Sequence, residues 1–123
     1  MMFARTLPQS KQMESKLIYS KLALRDLDDI FEHIVYDLDN ETAAMRIINE
    51  ILEQADKLCS FPKMGAELSS IVAVPTDYRF LVCKDYLTFY HLSEQQVHID
   101  RVLYGRSDYM HTLLQGQNKD FPQ

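Results

Sequence analysis

Between Lys21 and Leu38 the apolar residues Leu24, Leu27, Ile30, Phe31, Ile34 and Leu38 recur at steps of three and four, the period of an amphipathic helix. Asp26, Asp28, Asp29 and Asp37 fall between them and read as an acidic, solvated outer face. Ser20 stands where an N-cap belongs. Asp39-Asn40 interrupts the pattern, and a second stripe, Ala44, Ile47, Ile48, Ile51, Leu52, Ala55 and Leu58, predicts a helix from Asn40 or Glu41 to about Ser60. So short a connection packs the two helices as an antiparallel hairpin. Phe61-Pro62-Lys63-Met64-Gly65 ends it, because proline cannot continue a helix and glycine tolerates the turn that follows.

Beyond Gly65 the period falls to about two residues. Leu68 to Val74 predicts an edge strand closed by Pro75-Thr76-Asp77, and Tyr78 to Lys84, Leu87 to Ser93 and Val97 to Tyr104 predict three more. Their breaks, Lys84-Asp85 and Ser93-Glu94-Gln95, are short enough for an antiparallel meander. Lys16 to Tyr19 is a further short strand before the first helix, and it can pair only within the same sheet. The order β-α-α-β-β-β therefore predicts an α+β domain, with a helical hairpin packed on one face of a mainly antiparallel sheet.

Composition narrows the class. A chain of 123 residues, 46% hydrophobic, suits one compact domain. Residues 1–15 read as a flexible leader, with Met13 a second possible start; residues 16–114 read as the domain and 115–123 as a polar tail. A net charge of −5 and a pI near 5.2 argue against a protein held to nucleic acid by a broad positive field. Cys59 and Cys83 have no neighbour at metal-ligand spacing and read as small apolar residues in a reducing cytoplasm. No metal or cofactor is expected. No apolar run approaches the roughly 18 residues of a membrane span, so no membrane partner is expected either.

Candidate chemistry gathers between Tyr78 and Tyr109. Arg79 alternates with Tyr78 and Phe80 and points to the opposite face, where a partner or an acidic neighbour could meet it. Arg101 shares the parity of Val97, Ile99 and Leu103, which implies a paired, partly covered arginine or a cleft. His91, among Leu87 and Phe89, reads as semi-buried; His98 reads as a surface residue, and Tyr86 and Tyr90 as packing aromatics. Arg106 and Tyr109 lie just past a strand end, where side chains on a rigid scaffold reach a partner. His111 beside them is a possible acid/base group.

The run Ser20-x-x-Ala23-Leu24-x-Asp26-Leu27-x-x-Ile30, followed by Ala43-Ala44, Leu58-x-x-Phe61-Pro62-x-x-Gly65, Tyr78-Arg79, Tyr86, Phe89-Tyr90 and Ile99-x-Arg101-Val102-Leu103-Tyr104-Gly105-Arg106-x-Asp108-Tyr109, resembles the RelE/ParE family of bacterial toxins. The resemblance covers about Lys16 to Leu114. It implies the toxin half of a type II toxin-antitoxin pair, silenced by a small antitoxin whose C-terminal segment wraps the toxin.

Two mechanisms are implied within that family. RelE-like members are similar to ribosome-dependent endoribonucleases, which cleave mRNA without metal by attack of a ribose 2′-hydroxyl on the adjacent phosphate. Such chemistry needs a base, an acid and cations, and the resemblance would give those roles to Arg106, Tyr109 and Arg79. ParE-like members resemble inhibitors that act by binding DNA gyrase. Arg79, Lys84, Tyr90, Arg101, Arg106 and Tyr109 would then contact target or antitoxin.

The sequence leans to the second. Leu87 holds the place after Tyr86 where RelE-type toxins carry an arginine. Between Tyr78 and His111, four basic residues (Arg79, Lys84, Arg101, Arg106) face four acidic ones (Asp85, Glu94, Asp100, Asp108), without the positive excess that docking into ribosomal RNA requires. A non-toxic interaction module on the same fold is a third reading.

Overall fold

The computed structural model describes residues 15–70, 72 and 75–105. In chain order these form β1 (Lys16–Tyr19), α1 (Lys21–Leu38), α2 (Glu41–Lys57), β2 (Ala66–Glu67), a 3-10 turn (Leu68–Ser70), β3 (Arg79–Cys83), β4 (Tyr86–Ser93) and β5 (Gln96–Tyr104). The five strands make one sheet in the order β1-β5-β4-β3-β2. Only the β1–β5 pair is parallel. The α+β arrangement expected from the periodicity is the one observed. Apart from Ser15, the leader lies outside the described residues, as does the tail.

The first helix begins on the expected Ser20 cap, and the second begins on Asn40. Ser20 Oγ accepts the Ala23 N–H at 2.9 Å, and Asn40 Oδ1 accepts the Ala43 N–H at 3.0 Å, satisfying donors that have no carbonyl partner in a first turn. Asp39 turns the chain between the helices in a left-handed conformation, φ 50°. α2 ends at Lys57, earlier than Ser60, and its last carbonyls are taken up by the N–H groups of Leu58, Cys59 and Ser60.

The helices bury Ala23, Leu27, Ile30, Ile34, Ala44, Ile51 and Ala55 against Leu81, Cys83, Tyr86, Tyr90, Val97, Ile99 and Val102 of the sheet. Leu24 and Leu38, expected in the buried stripe, are instead 51% and 60% exposed. The stripe runs through Ala23, whose small side chain lets α1 approach the sheet closely, and Leu24 lies one step around the helix from it. A second cluster, Leu68 and Phe89 with Val72, Tyr78, Phe80, Leu87 and Leu103 packed on it, is separate from the helix-facing core. Leu68 anchors it. This replaces the edge strand expected from Leu68 onward: Leu68–Ser70 is a 3-10 turn, and the pairing with β3 falls two residues earlier, at Ala66 and Glu67.

The hairpin turns are tight and contain no glycine. Glu94 and Gln95 both take left-handed conformations, φ 50° and 63°, the type I′ geometry that matches strand twist. Gly65 is required for a different reason than a left-handed turn. A Cβ there would lie 2.6 Å from the Tyr90 hydroxyl and 2.7 Å from the Phe80 carbonyl oxygen. The Tyr90 hydroxyl accepts the Gly65 N–H at 2.9 Å and donates to the Pro62 carbonyl at 2.8 Å, so this aromatic ties the loop after α2 to the core.

Candidate functional site

The pairing of β4 with β5 contains one irregularity. Phe89 opposes Arg101 while the next residue, Tyr90, opposes Ile99, so Asp100 is an extra residue, a β-bulge. The bulge changes the parity of β5. Val97 and Ile99 face the helices before it, and Val102 does so after it. Arg101 thereby leaves the parity of Val97 and Ile99 that the uninterrupted pattern implied.

Its guanidinium closes on Asp26 of α1: Nε and Nη2 donate to the two carboxylate oxygens at 2.8 and 2.9 Å. One of those oxygens also accepts the buried N–H of Val102 at 2.9 Å. Asp26, placed by sequence on the solvated face, is 8% exposed. β1 explains the need. It pairs with β5 only as far as Ile99, so beyond it the outer edge of β5 has no strand neighbour, and the carboxylate supplies the missing acceptor. Its hydrogen bonds hold the Arg101 guanidinium more firmly charged than usual, against the opposing effect of burial. Ser20 completes the attachment, its N–H donating to the Ile99 carbonyl at 2.9 Å and its hydroxyl to the Asp100 carbonyl at 2.8 Å.

At the bulge the Asp100 carboxylate meets His91 Nδ1 at 2.5 Å. The His91 ring stacks on His98 with centroids 4.7 Å apart and meets the Tyr78 ring edge-on at 6.3 Å. Burial pushes the Asp100 carboxyl above its usual range, and the His91 hydrogen bond and charge only partly offset that. A histidine oriented by a carboxylate can move a proton. Here the same contact also fixes the bulge.

The other candidate residues are committed to the fold in different degrees. Arg79 donates to Glu67 and to the Lys63 carbonyl, both at 3.3 Å, and its Nε is buried. Lys84, in the left-handed β3–β4 turn, lies 3.9 Å from Glu50. Tyr90, expected among the binding residues, is 0% exposed and serves the core and the Gly65 loop, so no partner reaches it. Arg106, Tyr109 and His111 lie outside the described residues. The chain approaches them from a fixed point: the Gly105 N–H donates to the Asp85 carbonyl at 2.7 Å, and a Cβ there would sit 3.2 Å from that same oxygen.

An open groove of about 780 Å³ lies at the other end of the β4–β5 hairpin, between Phe61, Pro62 and Met64 on one side and Leu92 to Gln96 on the other. Among the described residues no group of three His, Cys, Asp or Glu side chains is placed to hold a metal ion. Nor is any helix among them long and apolar enough to cross a membrane.

Asp26 is the residue that sequence reasoning misplaced. It is separated from Arg101 by 75 positions, and an aspartate between hydrophobic positions on a helix looks the same whether it faces water or a strand edge. The only trace was on the other side: an arginine within an apolar alternation.

A chain in the solved structure of the chromosomal ParDE TA system from P. aeruginosa superposes with a TM-score of 0.63 at 23% identity, over 75% of this chain and 97% of that one. That likeness shows a shared fold. Among curated proteins none matches the chain at a significant level. Residues 17–109, from β1 through the β5 exit with its Arg101-Val102-Leu103-Tyr104-Gly105 run, match the family model described as "ParE toxin of type II toxin-antitoxin system, parDE", and the chain belongs to that family.

Proposed function

We propose that this ParE-family toxin arrests growth by binding a protein target, DNA gyrase, in the cytoplasm, and that a small DNA-binding antitoxin encoded beside it holds it silent. The observation that carries the choice of binding over cleavage is the state of the cations. Metal-free attack of a 2′-hydroxyl on phosphate needs positive groups aimed at the developing charge. Among the described residues Arg101 is turned onto Asp26 and Arg79 onto Glu67 and Lys63, while Leu87 occupies the strand position where a nuclease of this fold would carry an arginine. The ParDE complex of the structural relative supports a partner antitoxin.

Ribosome-dependent mRNA cleavage draws on one arrangement, the His91–Asp100 pair, and a single experiment separates the readings. Purified toxin is titrated into a gyrase supercoiling and cleavage assay and, in parallel, into a translation extract whose mRNA is mapped. Lost supercoiling or stabilised cleavage complexes with intact mRNA is the expected outcome. Discrete mRNA cuts with unaffected gyrase at saturating toxin overturn the proposal.

A further inference from the structure

We infer that the open groove beside the β4–β5 turn is the seat of this chain's own leader, entered from Ser15 and filled by the side chain of Met13. The inference rests on the course of β1 and is independent of which target the toxin binds.

The chain is fixed to both walls of the groove where the leader joins it. Ser15 itself lines the groove, with Phe61, Pro62 and Met64 from the segment after α2 and Leu92 from β4. Its N–H donates to the Cys59 carbonyl at 2.8 Å, on the side of α2, and the Lys16 N–H donates to the Gln95 carbonyl at 3.1 Å, in the β4–β5 turn. Side-chain direction then follows from the strand period of two. Leu17 and Tyr19 pack on the helix-facing core, while Lys16 and Ile18 are exposed. Ser15 shares the parity of Leu17, and two residues further back the same parity falls on Met13; Gln12 and Glu14 share the exposed parity of Lys16. The alternation that builds β1 therefore directs Met13 toward the groove and its polar neighbours away from it.

The groove suits that side chain. Phe61 and Met64 are 65% and 44% exposed, and a methionine, unbranched and polarizable, fills irregular apolar gaps and favours contact with an aromatic ring. A volume of about 780 Å³ lies within the roughly 300–1,000 Å³ of sites that bury a small ligand. Tethering favours the leader over other occupants, because one residue separates Met13 from the fixed Ser15, and a short linker gives an effective concentration on the order of millimolar. The other end of the chain departs elsewhere. A Cβ on Gly105 would lie 3.5 Å from Leu87 Cγ, and Leu87 is five residues from Leu92 along β4, roughly 17 Å at about 3.4 Å per residue. A seated leader withdraws this apolar groove from the surfaces open to a target or an antitoxin.

The experiment is NMR of the full chain with isotope-labelled methionine methyls. The expected result is a nuclear Overhauser contact from the Met13 methyl to the Phe61 ring, with an upfield shift that Phe61→Ala removes, both unchanged on dilution. A Met13 methyl without contact to the groove overturns the inference. So does a contact made to Phe61 by Met110, which seats the tail instead, or one seen only between labelled and unlabelled molecules, which seats a second copy. Limited trypsin digestion gives a reading that does not require the Phe61 variant to fold. Cleavage after Lys11 should be faster by at least about tenfold in Met13→Asp than in wild type, because a seated Met13 must first leave the groove. Equal rates overturn the inference.

Discussion

Tyr19 ends β1 beside Asp56 and Cys59, and burial, followed by the negative potential of those two groups, pushes its phenol up to about 12 from 10.0. An acid whose folded pKa is raised keeps its proton longer in the native state, so its contribution to stability is complete below the unfolded value. Between pH 10.0 and about 12 the unfolded chain has lost that proton and the folded chain has not, and stability falls as pH rises through the window. Burial also raises the Tyr86 phenol, so the contrast must be made against a variant and not against a flat baseline. Urea midpoints measured from about pH 9 to about pH 12 should diverge, with Tyr19→Phe losing less stability than wild type across the upper half. Parallel curves for the two proteins would count against this account. Tyr19 itself was readable as the end of a strand; its neighbours were not, because Asp56 and Cys59 reach it only through the return of α2 along the sheet.

The two helix caps use the same contact but do different work in the fold. Asn40 is exposed and caps α2 alone, so Asn40→Ala should cost about 0.5–1 kcal/mol. Ser20 accepts from Ala23 and also donates to the Asp100 carbonyl at the bulge, so Ser20→Ala removes a cap and a tie between α1 and β5 and should cost about 1.5–2.5 kcal/mol. Equal losses in chemical denaturation would show the second contact to be idle. The example marks the boundary of what periodicity discloses. Both helices, the Ser20 cap and the three long strands were legible, because each rests on local spacing and on side chains that satisfy nearby backbone. The bulge was not, since the alternation of Val97, Ile99 and Leu103 resumes after Arg101 as if no residue were inserted, while the true inward set is Val97, Ile99 and Val102. The segment after Gly65 misled for a related reason. A single buried leucine, Leu68, anchors a turn as readily as it begins a strand, and only the pairing of Ala66 and Glu67 with β3 tells the two apart.

For the molecule as a whole, charge and topology point the same way. The net charge is −5, and the fold spends its central cations inside itself: Arg101 on Asp26 and Arg79 on Glu67. The exposed outer face of α1 carries Asp28, Asp29, Glu32 and Asp37. Binding to RNA or to a ribosomal surface draws its affinity largely from release of counterions, with a log–log salt slope of about −0.7 per phosphate neutralised on a single strand. A protein of net negative charge whose Arg101 and Arg79 are committed to carboxylates should show little of this. Filter binding to a single-stranded RNA, measured at about 50 and about 200 mM salt, should give weak retention at the lower salt and little further change at the higher. If binding is tight and falls by about a hundredfold or more across that interval, several phosphates are being neutralised. The positive groups would then have to be ones other than Arg101 and Arg79, and the balance between a gyrase-binding toxin and a ribosome-directed nuclease would reverse.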